Sequence, residues 1–193
     1  MDYIGLAYSQ ARETLDQFFT DAAQKEKILK AVDIFATAFE NEHNVFSCGN
    51  GGSMCDSLHF AEELTGRYRK DRRPLPATGI SEAGHITCVA NDFGFEHIFS
   101  RTIEAWGKKG DGLLAISTSG NSANVIKAVE VARSKGMHVV GLLGKDGGKL
   151  KDLVTVPIIV PCPITDRVQE VHIKLIHIFI EGIERRLFPE NYV

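Results

Sequence analysis

Five short strand candidates, at 44–48, 76–80, 112–116, 137–143 and 154–160, recur along the chain with helix-length segments between them, the clearest being the apolar run Gly112-Leu113-Leu114-Ala115-Ile116. Runs of this length, rich in Val, Ile and Leu, read as strands buried on both faces. The segments near 54–67, 96–108, 121–135, 148–153 and 166–187 read as helices. In 121–135, for example, Ala123, Ile126, Val129, Val131 and Ala132 recur at helical spacing. Such alternation predicts a three-layer α/β sandwich, with a five-stranded parallel sheet covered on both faces. Ligands of such sheets bind beyond the carboxyl ends of the strands. Residues 3–20 and 22–40 read as two further helices, with Asp21 and Gln24 forming a capping box between them. They belong to no strand–helix–strand unit, so they are expected outside the sheet or in an oligomer interface. No linker, repeat or low-complexity stretch interrupts 1–193, which predicts one domain.

Composition narrows the partners. A chain of 193 residues can bury one sizeable core, and a net charge of −3 offers no general surface for nucleic acid. No apolar run reaches the roughly 18 residues of a membrane span. The opening Met1-Asp2-Tyr3-Ile4-Gly5 lacks a basic segment followed by an apolar one, so a cytoplasmic protein is expected. Cys48, Cys55, Cys88 and Cys162 form no Cys-x-x-Cys pair and have mostly apolar neighbours. Buried free thiols in a reducing compartment are expected.

Two loops carry the strongest chemical signal. Ser117-Thr118-Ser119-Gly120-Asn121-Ser122 stands between a strand and a helix N-terminus. Helix N-termini present unpaired N–H groups and partial positive charge, which suits a phosphate. The hydroxyls add donors, and Gly120 permits close backbone approach. With no Lys or Arg in the loop, a phosphate would be held by hydrogen bonds and the helix dipole. Cys48-Gly49-Asn50-Gly51-Gly52-Ser53 repeats this logic at another strand end, with Ser53 as the expected N-cap. It fails as a dinucleotide fingerprint, because Met54 stands where the third Gly or Ala is required. There is no Gly-Lys-Ser/Thr signature either. The pair suits one compact phosphorylated ligand.

On the following helix, His59 and Glu63 are spaced i, i+4 on one face. That spacing serves a divalent metal, a base beside a substrate, or an ordinary surface pair. On the last helix Gln169 and His177 lie about 12 Å apart along the axis. His177 sits in an apolar stretch, as either a core residue or a ligand; His172 falls on another face and reads as structural. Asn91-Asp92 follows the apolar stretch 86–90, where Asp92 either accepts sugar hydroxyls or caps the next helix. The basic loop 67–74 reads as a solvated connection, with Arg67 the best candidate for a substrate contact.

Together these residues resemble the sugar isomerase (SIS) domain family and, more closely, its phosphoheptose isomerases. The matching stretches are 47–53, 59–68, 91–95, 116–122 and 166–174. The resemblance covers nearly the whole chain, including the two leading helices. It implies a flavodoxin-like SIS fold and a cytoplasmic homotetramer with active sites between subunits and one zinc ion per subunit. The implied metal ligands are His59, Glu63, Gln169 and His177. The implied sugar-phosphate contacts are Asn50, Gly51, Gly52, Ser53, Glu63, Asn91, Asp92, Ser117, Thr118, Ser119, Ser122 and Gln169. Position 54 is Met, where some relatives carry His; it lies outside the implied ligand set.

The implied activity converts D-sedoheptulose 7-phosphate to D-glycero-D-manno-heptose 7-phosphate, the first step towards the lipopolysaccharide heptose. The implied catalytic residues are Glu63 and His177. A carboxylate at Glu63 suits proton transfer between C1 and C2 through an enediol, and His177 suits the oxygens. The alternative is a non-catalytic SIS sugar-phosphate-binding regulator, or one that binds the replication initiator. The tail Leu187-Phe188-Pro189 resembles the initiator-associating type, but that type lacks counterparts of Glu63 and His177, and this chain has both.

Overall fold

The computed structural model describes residues 2–193. Five strands, β1 (Val45–Gly49), β2 (Ala77–Gly79), β3 (Gly112–Ser117), β4 (His138–Gly144) and β5 (Val156–Val160), form one sheet in the order β2-β1-β3-β4-β5. Every neighbouring pair is parallel. Seven α-helices accompany the strands among the described residues: α1 (Tyr3–Thr20), α2 (Ala22–Glu40), α3 (Gly52–Thr65), α4 (Ala83–Asp92), α5 (Ser100–Trp106), α6 (Ala123–Ser134) and α7 (Thr165–Leu187). Alternate strand residues face two separate cores. Val45, Leu114, Ile116, Val140 and Leu142 pack under α2, α3 and α7. Phe46, Cys48, Leu113, Ala115 and Val139 pack under α4, α5 and α6. The expected three-layer sandwich is therefore present.

The helices differ from expectation in instructive ways. Helix α2 is not outside the sheet. Ile28, Ala31, Phe35 and Phe39 are buried, and the helix packs on α7 and β5. Rings of Phe35, Phe60 and Phe179 meet at 5.4 and 6.3 Å, joining α2, α3 and α7. Only α1 keeps an outer position: Thr14 and Phe18 are its buried residues, while Tyr3, Ile4, Leu6 and Tyr8 stay exposed. Asp21 caps α2 through Ala23 N–H at 2.9 Å, but the Gln24 amide donates to the Asp21 carboxylate instead of closing a capping box. The apolar stretch 86–90 belongs to α4, a helix absent from the sequence prediction, capped by the Glu82 carboxylate on Gly84 and His85 N–H. The helix predicted over 96–108 is a 3-10 turn (Phe95–His97) followed by α5, and that over 148–153 is a 3-10 turn (Lys149–Asp152). Cys48 and Cys162 are buried free thiols as expected, but Cys55 and Cys88 are exposed because they lie on the outer faces of α3 and α4.

Helix α7 is anchored to β4 by His172, which is fully buried and donates from Nε2 to the Leu143 carbonyl at 3.2 Å. Its Nδ1 has no partner. Burial lowers the His172 pKa to about 4. The structural expectation for this residue holds.

Two stability predictions follow from this packing. Phe60→Ala should cost about 3–5 kcal/mol in urea unfolding, because it empties the junction of three helices. His172 binds its proton less readily in the folded chain than in the unfolded one. Stability should therefore fall as pH drops from about 6.5 towards 4, by about 1.4 kcal/mol per pH unit from this group. In His172→Gln that part of the slope should vanish from urea midpoints measured across the same range. An unchanged slope would assign the acid sensitivity elsewhere.

Candidate active site

The strand order reverses at β1: the chain passes first to β2 on one side, then to β3 on the other. The crevice beyond the carboxyl ends of β1 and β3 is the ligand position of this topology. Gly49 is level with Ile116 across the pair, so the glycine loop and the serine loop leave the sheet at the same height. Both sequence-predicted loops thus flank one crevice.

The two loops are built differently. Gly51 has φ +56° and ψ −123°, a conformation open to glycine, and it starts α3 without any side-chain cap. Ser53 is accordingly not the N-cap; it lies buried in the first turn, with its N–H on the Asn50 carbonyl at 3.0 Å. In the serine loop, Ser117 Oγ lies 3.0 Å from Ser122 Oγ, and Ser119 Oγ accepts from Asn121 N–H at 3.1 Å. Gly120 has φ +64°, and an added Cβ would strike the Gly147 carbonyl. The loop after β4 therefore backs the serine loop, and Leu150 N–H on the Gly120 carbonyl at 3.0 Å secures it. Ser122 stands at the N-cap of α6 without a side-chain cap bond, which leaves donors for an anion.

Asn50 and Asn124 exchange two amide hydrogen bonds, each 2.8 Å, across the crevice. Asn124 is buried and also accepts from Val125 N–H. The sequence expectation for Asn50 was a substrate contact; here its side chain ties the glycine loop to α6. Asn124 went unnoticed in the sequence, where a polar residue in the first turn of a helix is commonplace.

The second half of the site lies between α3 and α7. His59 Nε2 is 3.2 Å from His177 Nε2 and 3.3 Å from Glu63 Oε1. The ligand-type atoms of these residues all fall within 4.8 Å of one another, the one such cluster among the described residues. A tetrahedral zinc ion with bonds of 2.0–2.1 Å has donor–donor edges of about 3.3 Å. Two imidazoles and a carboxylate at these separations fit a zinc-class ion. Burial and the neighbouring His59 push the His177 pKa below the usual imidazole value, partly offset by Glu63. Its ring is therefore neutral at pH 7. Tyr68 stacks against it at 6.0 Å.

Gln169 lines an open groove of about 450 Å³ with Gly52, Cys55, Asp56, His59, Asp166, Glu170 and Ile173. Its amide packs against Gly52. Asp56, one turn before His59, was not singled out from sequence. Burial raises its pKa to about 6, and Oδ2 has no partner. Asn91 and Asp92 lie at the exposed end of α4, where the Asn91 amide donates to Asp92 at 2.7 Å. Asp92 caps no helix; the next turn starts at Gly94. Arg67 is exposed, whereas its neighbour Arg72 is the buried member of the basic loop.

Comparison with known proteins agrees with this geometry. A family model described as SIS domain matches residues 8–144. A phosphoheptose isomerase of Fusobacterium nucleatum is 54% identical over 187 residues, covering 97% of this chain and 96% of the relative. The solved phosphoheptose isomerase of Neisseria gonorrhoeae is 37% identical with a TM-score of 0.87, covering 94% of this chain and 96% of that one. The Francisella tularensis structure is 31% identical with a TM-score of 0.91, at 95% and 97% coverage. The chain therefore belongs to the SIS-domain family, among its phosphoheptose isomerases.

Proposed function

We propose that the chain converts D-sedoheptulose 7-phosphate to D-glycero-D-manno-heptose 7-phosphate through an enediol, supplying heptose for lipopolysaccharide. The observation that carries this is the His59–Glu63–His177 cluster beside a phosphate-type crevice. Gly51, Gly52 and Ser53 with Ser117, Thr118, Ser119 and Ser122 would hold the phosphate. Binding energy gathered there positions carbons that the loops never touch. Asn91, Asp92 and Gln169 would contact the sugar, and Asn50 would act through its bonds to Asn124.

Glu63 would lift the proton from C1 and return it to C2, as one positioned carboxylate can serve both carbons. His177, neutral at pH 7, would exchange protons with the two oxygens. The residues fit zinc, with His59, Glu63 and His177 as ligands and Gln169 joining from the same groove, so Glu63 and His177 would alternate between holding the ion and moving protons during turnover. When bound, the ion supplies Lewis acidity toward the C1 and C2 oxygens. We place the chain in the cytoplasm as a homotetramer. No helix among the described residues is long and apolar enough to cross a membrane.

Purified protein should hold about one zinc per subunit by elemental analysis. Turnover of the seven-carbon ketose phosphate should exceed that of five- and six-carbon analogues by about tenfold or more. Chelation should abolish isomerisation and leave phosphate-ligand binding in place, with zinc restoring activity. A preference for a shorter sugar would reassign the substrate. Absence of both zinc and turnover, with capture of the replication initiator, would favour the regulatory alternative.

A further inference from the structure

The segment between α3 and β2 carries five basic residues in 67–73, and one of them is not solvated. The side chain of Arg72 is almost wholly buried, as is that of its partner Glu184. Arg72 Nε donates to Glu184 Oε1 at 2.9 Å. Its Nη2 donates to the Glu63 carbonyl at 2.6 Å, and Nη1 to the carbonyls of Leu64 at 2.8 Å and Gly66 at 3.1 Å. These are carbonyls at the carboxyl end of α3, where no intrahelical donor remains and a cation meets the negative end of the dipole. The second oxygen of Glu184 accepts from the Tyr192 hydroxyl at 2.7 Å, so the carboxylate is bonded on both sides.

Glu184 stands seven residues beyond His177 on α7, two turns along nearly the same stripe. One planar guanidinium thus joins the end of the helix bearing His59 and Glu63 to the helix bearing His177. We propose that Arg72 and Glu184 are positioning residues, which set the register of α3 against α7 at which the three site residues converge. Neither touches a reacting atom. A buried pair of this kind adds little stability over well-packed apolar residues. What apolar residues cannot supply is direction: five donors in a rigid fork fix distance and rotation together. Separations of 3.2 and 3.3 Å within the cluster leave little room for α3 to slide. The proposal rests on the metal reading above.

The test uses Arg72→Lys, which keeps the charge but cannot span Glu184 and three carbonyls together. A second variant, Arg72→Met with Glu184→Leu, removes both charges and strands neither. Zinc dissociation constants are measured by competition with a chromophoric chelator, beside kcat, KM and thermal unfolding. With both proteins folded at the assay temperature, zinc affinity and kcat should each fall about tenfold or more. KM should stay within about threefold, because the phosphate loops are untouched. The double variant should be more stable than Arg72→Met alone without regaining zinc affinity. Folded variants with wild-type zinc affinity and kcat would overturn the positioning role and leave the metal reading intact. Wild-type protein that binds no zinc would overturn the metal reading itself.

Discussion

β1 lies between β2 and β3, and the chain crosses from one side of it to the other. The right-handed crossovers that parallel strands impose send the connections away from each other at that point, so a crevice opens. The glycine loop and the serine loop border it because they follow β1 and β3, which end in register. The Asn50–Asn124 amide pair then holds the crevice at one width. The absence of Lys and Arg from both loops follows from this arrangement. Open helix N-termini and hydroxyls already supply donors suited to an anion.

The reacting end depends on a different contact. Helix α3 starts at the crevice and runs against α7, so one helix follows the glycine loop and carries the His59–Glu63 pair. The aromatic junction of Phe35, Phe60 and Phe179 fixes the rotation of α3. Phe60 faces inward, and its neighbour His59 consequently faces the groove. Arg72 and Glu184 fix the far end. Sheet topology therefore places the two loops of the crevice, and helix packing places the His59–Glu63–His177 cluster.

Much of this was legible in the sequence. Apolar runs revealed β1, β3, β4 and β5, most clearly β3, which is buried along its whole length and lies inside the sheet, whereas β2 is a short edge strand with Thr78 exposed and was legible only from its place in the alternation. His59 and Glu63 were legible as a pair through their spacing, but their meeting with His177, 118 residues from His59, came only from the family resemblance and not from the chain's own pattern. Helix α4 was missed because 86–90 is short enough to read as strand or helix, and its cap is a Glu, an uncommon choice. Arg72 was hidden among basic neighbours; only burial distinguishes it from Arg67 and Lys70. Helix α2 was misplaced because the strand–helix alternation says nothing of helices that precede the first strand.

The most direct test of the account is the fate of Glu63→Gln given sedoheptulose 7-phosphate, followed by NMR of the sugar with binding measured by calorimetry. The amide keeps shape and loses the base along with the anionic metal ligand, so zinc content is measured beside turnover. The account expects the variant to fold and to keep binding through the phosphate end, with turnover reduced by about 10²–10⁴-fold. Near-normal turnover by the folded variant would contradict it.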